Sequence, residues 1–337
     1  MIRQTVGKLL MALLVMPVAI ACRETPSESV SQEQTAVSEA QSLNAVATFL
    51  PMYWFTKAVA GDKAQVTVLI PPGAEVHEYQ AKPEDVTAIA TADILIKNGL
   101  GLEEFLEDTV TNAGNSDLKQ IDASVGIQTV EEISPVMNPL KETHAAHGEH
   151  HHDTAAEHHD EHHHHHVHEG GNPHVWLDPV LAKQQVENIR DGLIAADPEN
   201  QAIYEANAAD YIQKLDQLNA EFQQQLKQYP NCTFITFHDA YPYLAQRYGL
   251  QQVAVVSIPE TNLSPKEVQT TVEAVENYNV KAILGEPGVD NKLLETLSQD
   301  LNLTLYAIDP LVSGPLEPQH YFTAMKSNLQ TLETACK

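Results

Sequence analysis

Basic residues are scarce in this chain: 19 lysines and arginines stand against 46 aspartates and glutamates, for a net charge of -27. A surface that grips nucleic acid or adsorbs to anionic lipid must be basic, so this balance argues against both. The acidity does attract cations, although screening confines that attraction to about 8 Å at physiological salt. Cysteine is rarer still, with three in 337 residues. None has C-x-x-C spacing, which disfavours a thiolate zinc site. The absence of G-x-x-x-x-G-K-[ST] argues against an ATPase, and the absence of H-E-x-x-H removes a common zinc-hydrolase signature.

The apolar run 9–21 is too short to span a bilayer comfortably, and it follows Arg3 and Lys8. That pattern predicts a secretory signal over 1–22. Ala19-Ile20-Ala21-Cys22 resembles a bacterial lipobox, with alanine where leucine is usual at the first position. It predicts a lipidated Cys22, with a plain cleaved signal or a retained anchor as the alternatives. Residues 23–42, rich in Ser, Glu, Gln and Thr, read as a flexible tether. The roughly 295 residues beyond are enough for two domains. Cys232 and Cys336 remain after the signal, and in an exported protein they predict one disulfide, with two free thiols as the alternative.

Apolar strand-like runs alternate with helical patterns through both halves. In the first half, strands are expected at 46–50, 66–70, 94–97 and 118–122, with helices at 52–60, 83–90 and 102–112. In the second, strands are expected at 233–237, 253–257, 282–285 and 305–308, with helices at 240–248, 265–278, 291–301 and 321–334. Such alternation predicts parallel sheets covered on both faces, and therefore an α/β fold of two Rossmann-like lobes. The first lobe is expected over 43–178 and the second over 230–337. Residues 179–229 read as a long, rigid connecting helix with a break and restart at Asp197-Pro198-Glu199.

Histidine is what the chain has in excess. Between His144 and His168 lie 13 of its 17 histidines, interleaved with acids and almost nothing that could build a core. Imidazole is the commonest metal ligand near neutral pH, so 144–168 reads as a metal-collecting loop of the first lobe; an expression tag or a merely solvated loop is the blander reading. Three isolated histidines lie at element ends. His77 follows the strand 66–70 through Pro71-Pro72-Gly73, His174 stands before the connecting helix, and His238 follows the strand 233–237. Asp309 ends the strand 305–308. Ligands in open α/β sheets bind at carboxyl ends, so all four could project into one interlobe cleft. Three imidazoles and a carboxylate suit Zn²⁺ better than Mn²⁺. Glu260 and Glu286 are candidate bases for a zinc hydrolase, the alternative from another class. Trp176, Tyr241, Tyr243 and Tyr248 read as packing residues, Asp178 as the cap of the connecting helix, and His320 as structural.

The segments P-P-G-A-E-V-H-E-Y, N-P-H-V-W-L-D-P, F-H-D-A-Y-P-Y-L-A-Q-R-Y-G-L and I-D-P-L, in that order, resemble the signature blocks of the metal-binding lipoproteins of ABC transporters, the family containing the ZnuA-type zinc-uptake proteins. The resemblance covers about 44–336. It implies two α/β lobes joined by a long helix, with metal between them held by His77 and His174 from the first lobe and His238 from the second. The fourth position falls on Asp309, where several zinc-type members use water or another carboxylate. It further implies a zinc receptor, not an enzyme, exported to the periplasm. Its partners would be a membrane permease and a separate ATPase, with a lipid on Cys22 as its one link to the membrane, acting as a monomer. A zinc buffer without a transporter is the remaining alternative.

Overall fold

The computed structural model describes residues 42–130, 171–256, 265–287 and 291–337. The predicted signal, most of the tether, the histidine-rich segment and Glu260 lie outside them. In the first lobe, β1 (Leu43–Ala47), β2 (Ala64–Val68), β3 (Ile94–Lys97) and β4 (Lys119–Asp122) form a parallel sheet in the order β2-β1-β3-β4. Helices α1 (Leu50–Ala60), α2 (Pro83–Ala90) and α3 (Leu106–Ala113) link these strands. The second lobe repeats the pattern. Strands β5 (Thr233–His238), β6 (Gln251–Val256), β7 (Ala282–Gly285) and β8 (Leu305–Ala307) lie in the order β6-β5-β7-β8, all parallel. Their helices are α6 (Pro242–Tyr248), α7 (Pro265–Asn277) and α8 (Lys292–Leu301), and α9 (His320–Ala335) closes the described chain.

Strand side chains alternate between faces with period two, and the sheets use both. Val46 and Leu95 face a core shared with Ile89 and Leu106 on the outer side of the first lobe. Ala45, Ala47, Ile94 and Ile96 face inward, into a core that runs without interruption into the second lobe through Phe234, Ala282 and Leu284. Ile235 and Ile283 face the second lobe's outer core with Leu294 and Leu297.

The 179–229 segment is interrupted at Asp197-Pro198. It holds α4 (Pro179–Ala196), a single 3-10 turn at Pro198–Asn200 and α5 (Gln201–Leu226). A proline drives the residue before it out of helical geometry, and Asp197 sits at φ -141 and ψ 75. The two helices fold back on each other, with Lys183 Nζ donating to Asp216 Oδ1 at 3.1 Å. It is α5, about 39 Å long at 1.5 Å per residue, that packs on α1 of the first lobe and on α6 and α9 of the second. The start of the first lobe is also displaced: 46–50 was expected to be strand, but Pro51 at the first turn begins α1, so β1 ends at Ala47.

The two lobes are tied at the seam. Trp176 Nε1 donates to Pro310 O and Tyr321 OH to Trp176 O, at 2.9 and 2.8 Å. Trp54 Nε1 donates to Pro315 O at 2.9 Å and the Gly73 amide to Val312 O, also at 2.9 Å. Within the second lobe, Cys232 and Cys336 form a disulfide that joins the start of β5 to the end of α9.

Candidate metal centre

His77 is presented by the loop after β2. Gly73, at φ +83, makes the turn that glycine adopts without strain. Val76, 2% exposed, anchors the loop in the core, and Glu75 Oε1 accepts the amides of Val76 and His77 at 3.0 and 3.3 Å. His174 precedes a one-turn 3-10 helix, Val175–Leu177, whose buried Trp176 fixes the chain. Asp178 then caps α4 by accepting from Val180 N at 2.8 Å, and the same carboxylate pairs with Arg247 of α6. His238 is the last residue of β5, and its carbonyl accepts from Thr236 Oγ1 and Gln252 Nε2 at 2.8 and 3.1 Å.

These three imidazoles converge. One ring nitrogen from each lies within 4.8 Å of the others, and the Nε2 atoms of His77 and His174 are 3.1 Å apart. Three nitrogens about a tetrahedral zinc at 2.0–2.1 Å would be separated by about 3.3 Å, so small ring movements suffice to seat an ion. Two of the rings are oriented from behind. His238 Nδ1 lies 2.5 Å from Glu286 Oε1, and His174 Nδ1 lies 3.1 Å from Asn172 Oδ1. Burial pulls the His238 pKa down, but the charge and hydrogen bond of Glu286, with Glu75 and Asp239 adding to them, outweigh it and raise the value overall.

Asp309 is not in this three-residue group. Its Oδ1 accepts from the Leu311 amide at 2.7 Å, and its own amide donates to Asn328 Oδ1 at 2.8 Å. Burial raises its pKa against the Leu311 hydrogen bond and the nearby His320, and the Glu286 charge raises it further. Glu286, considered from sequence only as a base for hydrolysis, faces His238. Trp176 and Tyr241 are buried in the core, as their packing reading predicts. Tyr243 does more: its hydroxyl donates to Asn172 O at 2.5 Å and accepts from Val130 N at 3.3 Å. His320 packs against Trp54, with ring centroids 5.5 Å apart and the planes tilted by 52°. Asn172 escaped the sequence reading, although an Asn two residues before a histidine is a common side-chain-to-backbone turn.

Two α/β lobes with the same strand order, bridged by one long helix and holding three imidazoles at their seam, define a two-lobed metal-binding protein of the solute-receptor class. The chain belongs to the ZnuA family, described as zinc-uptake complex component A, periplasmic, whose family profile matches residues 45–335. It is 33% identical over 308 residues to the high-affinity zinc uptake system protein ZnuA of Bacillus subtilis, covering 90% of each chain. To the zinc-binding lipoprotein AdcA of Streptococcus pneumoniae it is 33% identical over 296 residues, 86% of this chain but only 55% of AdcA, so it spans little more than half of that relative. The solved Zn(II)-bound ZnuA-like domain of pneumococcal AdcA superposes with a TM-score of 0.67 at 31% identity, covering 88% of this chain and 99% of that domain.

Proposed function

We infer that this protein is the zinc-binding receptor of an ABC uptake system. It captures Zn²⁺ outside the inner membrane and delivers it to a membrane permease powered by a separate ATPase. The observation that carries this reading is the convergence of His77, His174 and His238, from separate elements of both lobes, within 4.8 Å. A neutral imidazole with its far nitrogen hydrogen-bonded is a well-oriented zinc ligand, and Asn172 and Glu286 supply such partners. Asp309 is the proposed fourth ligand through the oxygen not engaged by Leu311. Water takes that position instead if Asp309→Asn leaves affinity unchanged.

Residues 144–168 gather zinc weakly and pass it to this centre, a role supported by their imidazole and carboxylate content. Zinc is cargo here and not a hydrolytic cofactor: Glu286, a candidate base for hydrolysis, is turned to His238. The Ala19-Ile20-Ala21-Cys22 pattern supports a lipid on Cys22 that holds a monomeric receptor at the membrane.

Calorimetric titration of the demetallated protein with Zn²⁺ tests the reading. One tight site should survive deletion of 144–168 and disappear in His77→Ala. Absence of a tight site from both the intact and the loop-deleted protein would overturn it.

A further inference from the structure

We propose that Asn172 is a positioning residue that sets the tautomer of His174 and, through the same amide, registers the first lobe's half of the zinc centre against the second's. The proposal rests on the reading of His174 as a ligand. It adds to that reading the device that makes His174 competent to bind.

Every polar atom of Asn172 is engaged. Its Oδ1 accepts from the His174 backbone N–H at 3.0 Å and lies 3.1 Å from His174 Nδ1. Its Nδ2 donates to Asp239 O at 2.7 Å and to Asp239 Oδ2 at 3.2 Å. Its backbone amide donates to Val130 O at 3.2 Å, and its carbonyl accepts from Tyr243 OH at 2.5 Å.

A side-chain amide can face its neighbours in two orientations, but here both ends are decided by unambiguous partners. A backbone N–H can only donate, so the atom facing the His174 amide is the oxygen. A backbone carbonyl can only accept, so the atom facing Asp239 O is the nitrogen. An oxygen that can only accept then requires His174 Nδ1 to carry the hydrogen. The neutral ring is therefore the Nδ1–H tautomer, and its lone pair sits on Nε2, the atom 3.1 Å from His77 Nε2.

The other half of the amide works across the seam. Asp239 follows His238 directly, so the Nδ2 hydrogen bonds fix the distance from the His174 loop to the end of β5. Behind His174, Asn98 Nδ2 donates to Pro173 O at 3.1 Å, and Gln185 Nε2 holds Asn98 Oδ1 at 2.9 Å. These contacts hold the backbone. Against the ring itself lie Trp176 and His238, each with centroids 5.1 Å away, and Asn172 Oδ1 is the acceptor facing Nδ1.

The full chain is titrated with Zn²⁺ against a competing chelator at substoichiometric metal, so that the tightest site alone is read, and with Co²⁺ for its visible absorption. Asn172→Ala should weaken zinc binding about 10- to 100-fold, the usual cost of losing the partner behind a ligating histidine, and should change the Co²⁺ spectrum. Asn172→Asp keeps an acceptor for His174 but sets a carboxylate oxygen against Asp239 O and Oδ2, so it should keep hydrogen on His174 Nδ1 while leaving zinc affinity below native. In the metal-free native protein labelled with ¹⁵N-histidine, the ring resonance that vanishes in His174→Ala should show hydrogen on Nδ1.

Hydrogen on Nε2 would overturn the proposal. So would an Asn172→Ala variant with reduced thermal stability alone, its zinc affinity within twofold of native and its Co²⁺ spectrum unchanged. A tight site that survives His174→Ala would instead overturn the functional reading on which the proposal stands. Loss in His174→Ala with none in Asn172→Ala would remove only the role given to Asn172.

Discussion

The two lobes share one strand order, and each buries a glutamate where its two central strands end, yet the two carboxylates do opposite things. In the first lobe, Glu103 bridges the ends of β1 and β3: Oε1 accepts from Thr48 Oγ1 and the Asn98 amide, both at 2.7 Å, and Oε2 from the Gly99 amide at 3.1 Å. Burial raises its pKa against those three hydrogen bonds and the charge of Lys97. In the second lobe, Glu286 follows β7 and faces the ring of His238 at the end of β5, while Asn291 holds its backbone from both sides. One carboxylate is consumed by its own loop, and the other lends its charge to an imidazole. The crevice at the strand-order reversal is thus filled by backbone in the first lobe and by chemistry in the second. For that reason the first lobe brings its histidines from farther out, on the loop after the edge strand β2 and on the segment before α4.

The comparison is broken most completely by His238→Ala. It removes the one imidazole supplied directly from a strand end, and the zinc affinity of the tight site should fall by more than about 100-fold, beyond the cost of losing an outer partner. Competition titration measures this. A loss of stability, not of affinity, is expected from the covalent link confined to the second lobe. Replacing Cys232 and Cys336 with serine frees a loop with a sequence separation of 104 residues. Loss of about 4 kcal/mol from urea unfolding of the metal-free protein is expected, with zinc affinity nearly unchanged.

Exchanging each glutamate for glutamine sharpens the contrast. Glu286→Gln should cost about 10- to 100-fold in zinc affinity. Glu103→Gln should leave affinity alone and cost about 1 to 3 kcal/mol of stability, because one of its amide or hydroxyl donors loses a buried acceptor. Proton dependence separates them again. Metal must displace the proton from His238, so capture weakens as pH falls through its raised pKa, and Glu286→Gln should move that midpoint to lower pH. Folding of the metal-free protein has the opposite slope. A pKa raised above the ordinary 6.5 contributes stability that is present below that value and lost as pH rises through the folded one. Chemical unfolding of metal-free protein across pH should show this contribution vanish in Glu286→Gln and persist in Glu103→Gln.

Most of the fold was legible because its strands are short, apolar and flanked by helix-forming stretches, which is what a parallel sheet covered on both faces demands. The fold-back of α4 on α5 was not. Asp197-Pro198 marks a break, but both segments carry an apolar stripe, and local pattern cannot say what each stripe faces. The three histidines were legible from their place at element ends, since strand ends in α/β lobes open onto a shared crevice. Asp309 has the same placement, but its Oδ1 serves its own loop, and side-chain direction at a strand end is decided by packing. Glu286 could be paired with His238 only once β7 was known to lie beside β5. Asn172 needed no tertiary knowledge, because its acceptor reaches an amide two residues away.

The smallest effect concerns the helix that joins the lobes. Lys183 of α4 and Asp216 of α5 form an ion pair whose side chains are 33% and 56% exposed. Exposed pairs are worth about 0 to 1 kcal/mol, because water screens the attraction and two long side chains must be held still. Tyr204, Leu215, Leu218 and Phe222 of α5 lie at most 1% exposed in the core that runs through both lobes. If burial on this face holds the lobes in register, Lys183→Ala should change urea stability by less than about 1 kcal/mol and leave zinc affinity unmoved. A large loss of zinc affinity in that variant would mean that the hairpin's outer surface sets the spacing of the metal centre, and that α5 is not the element that fixes it.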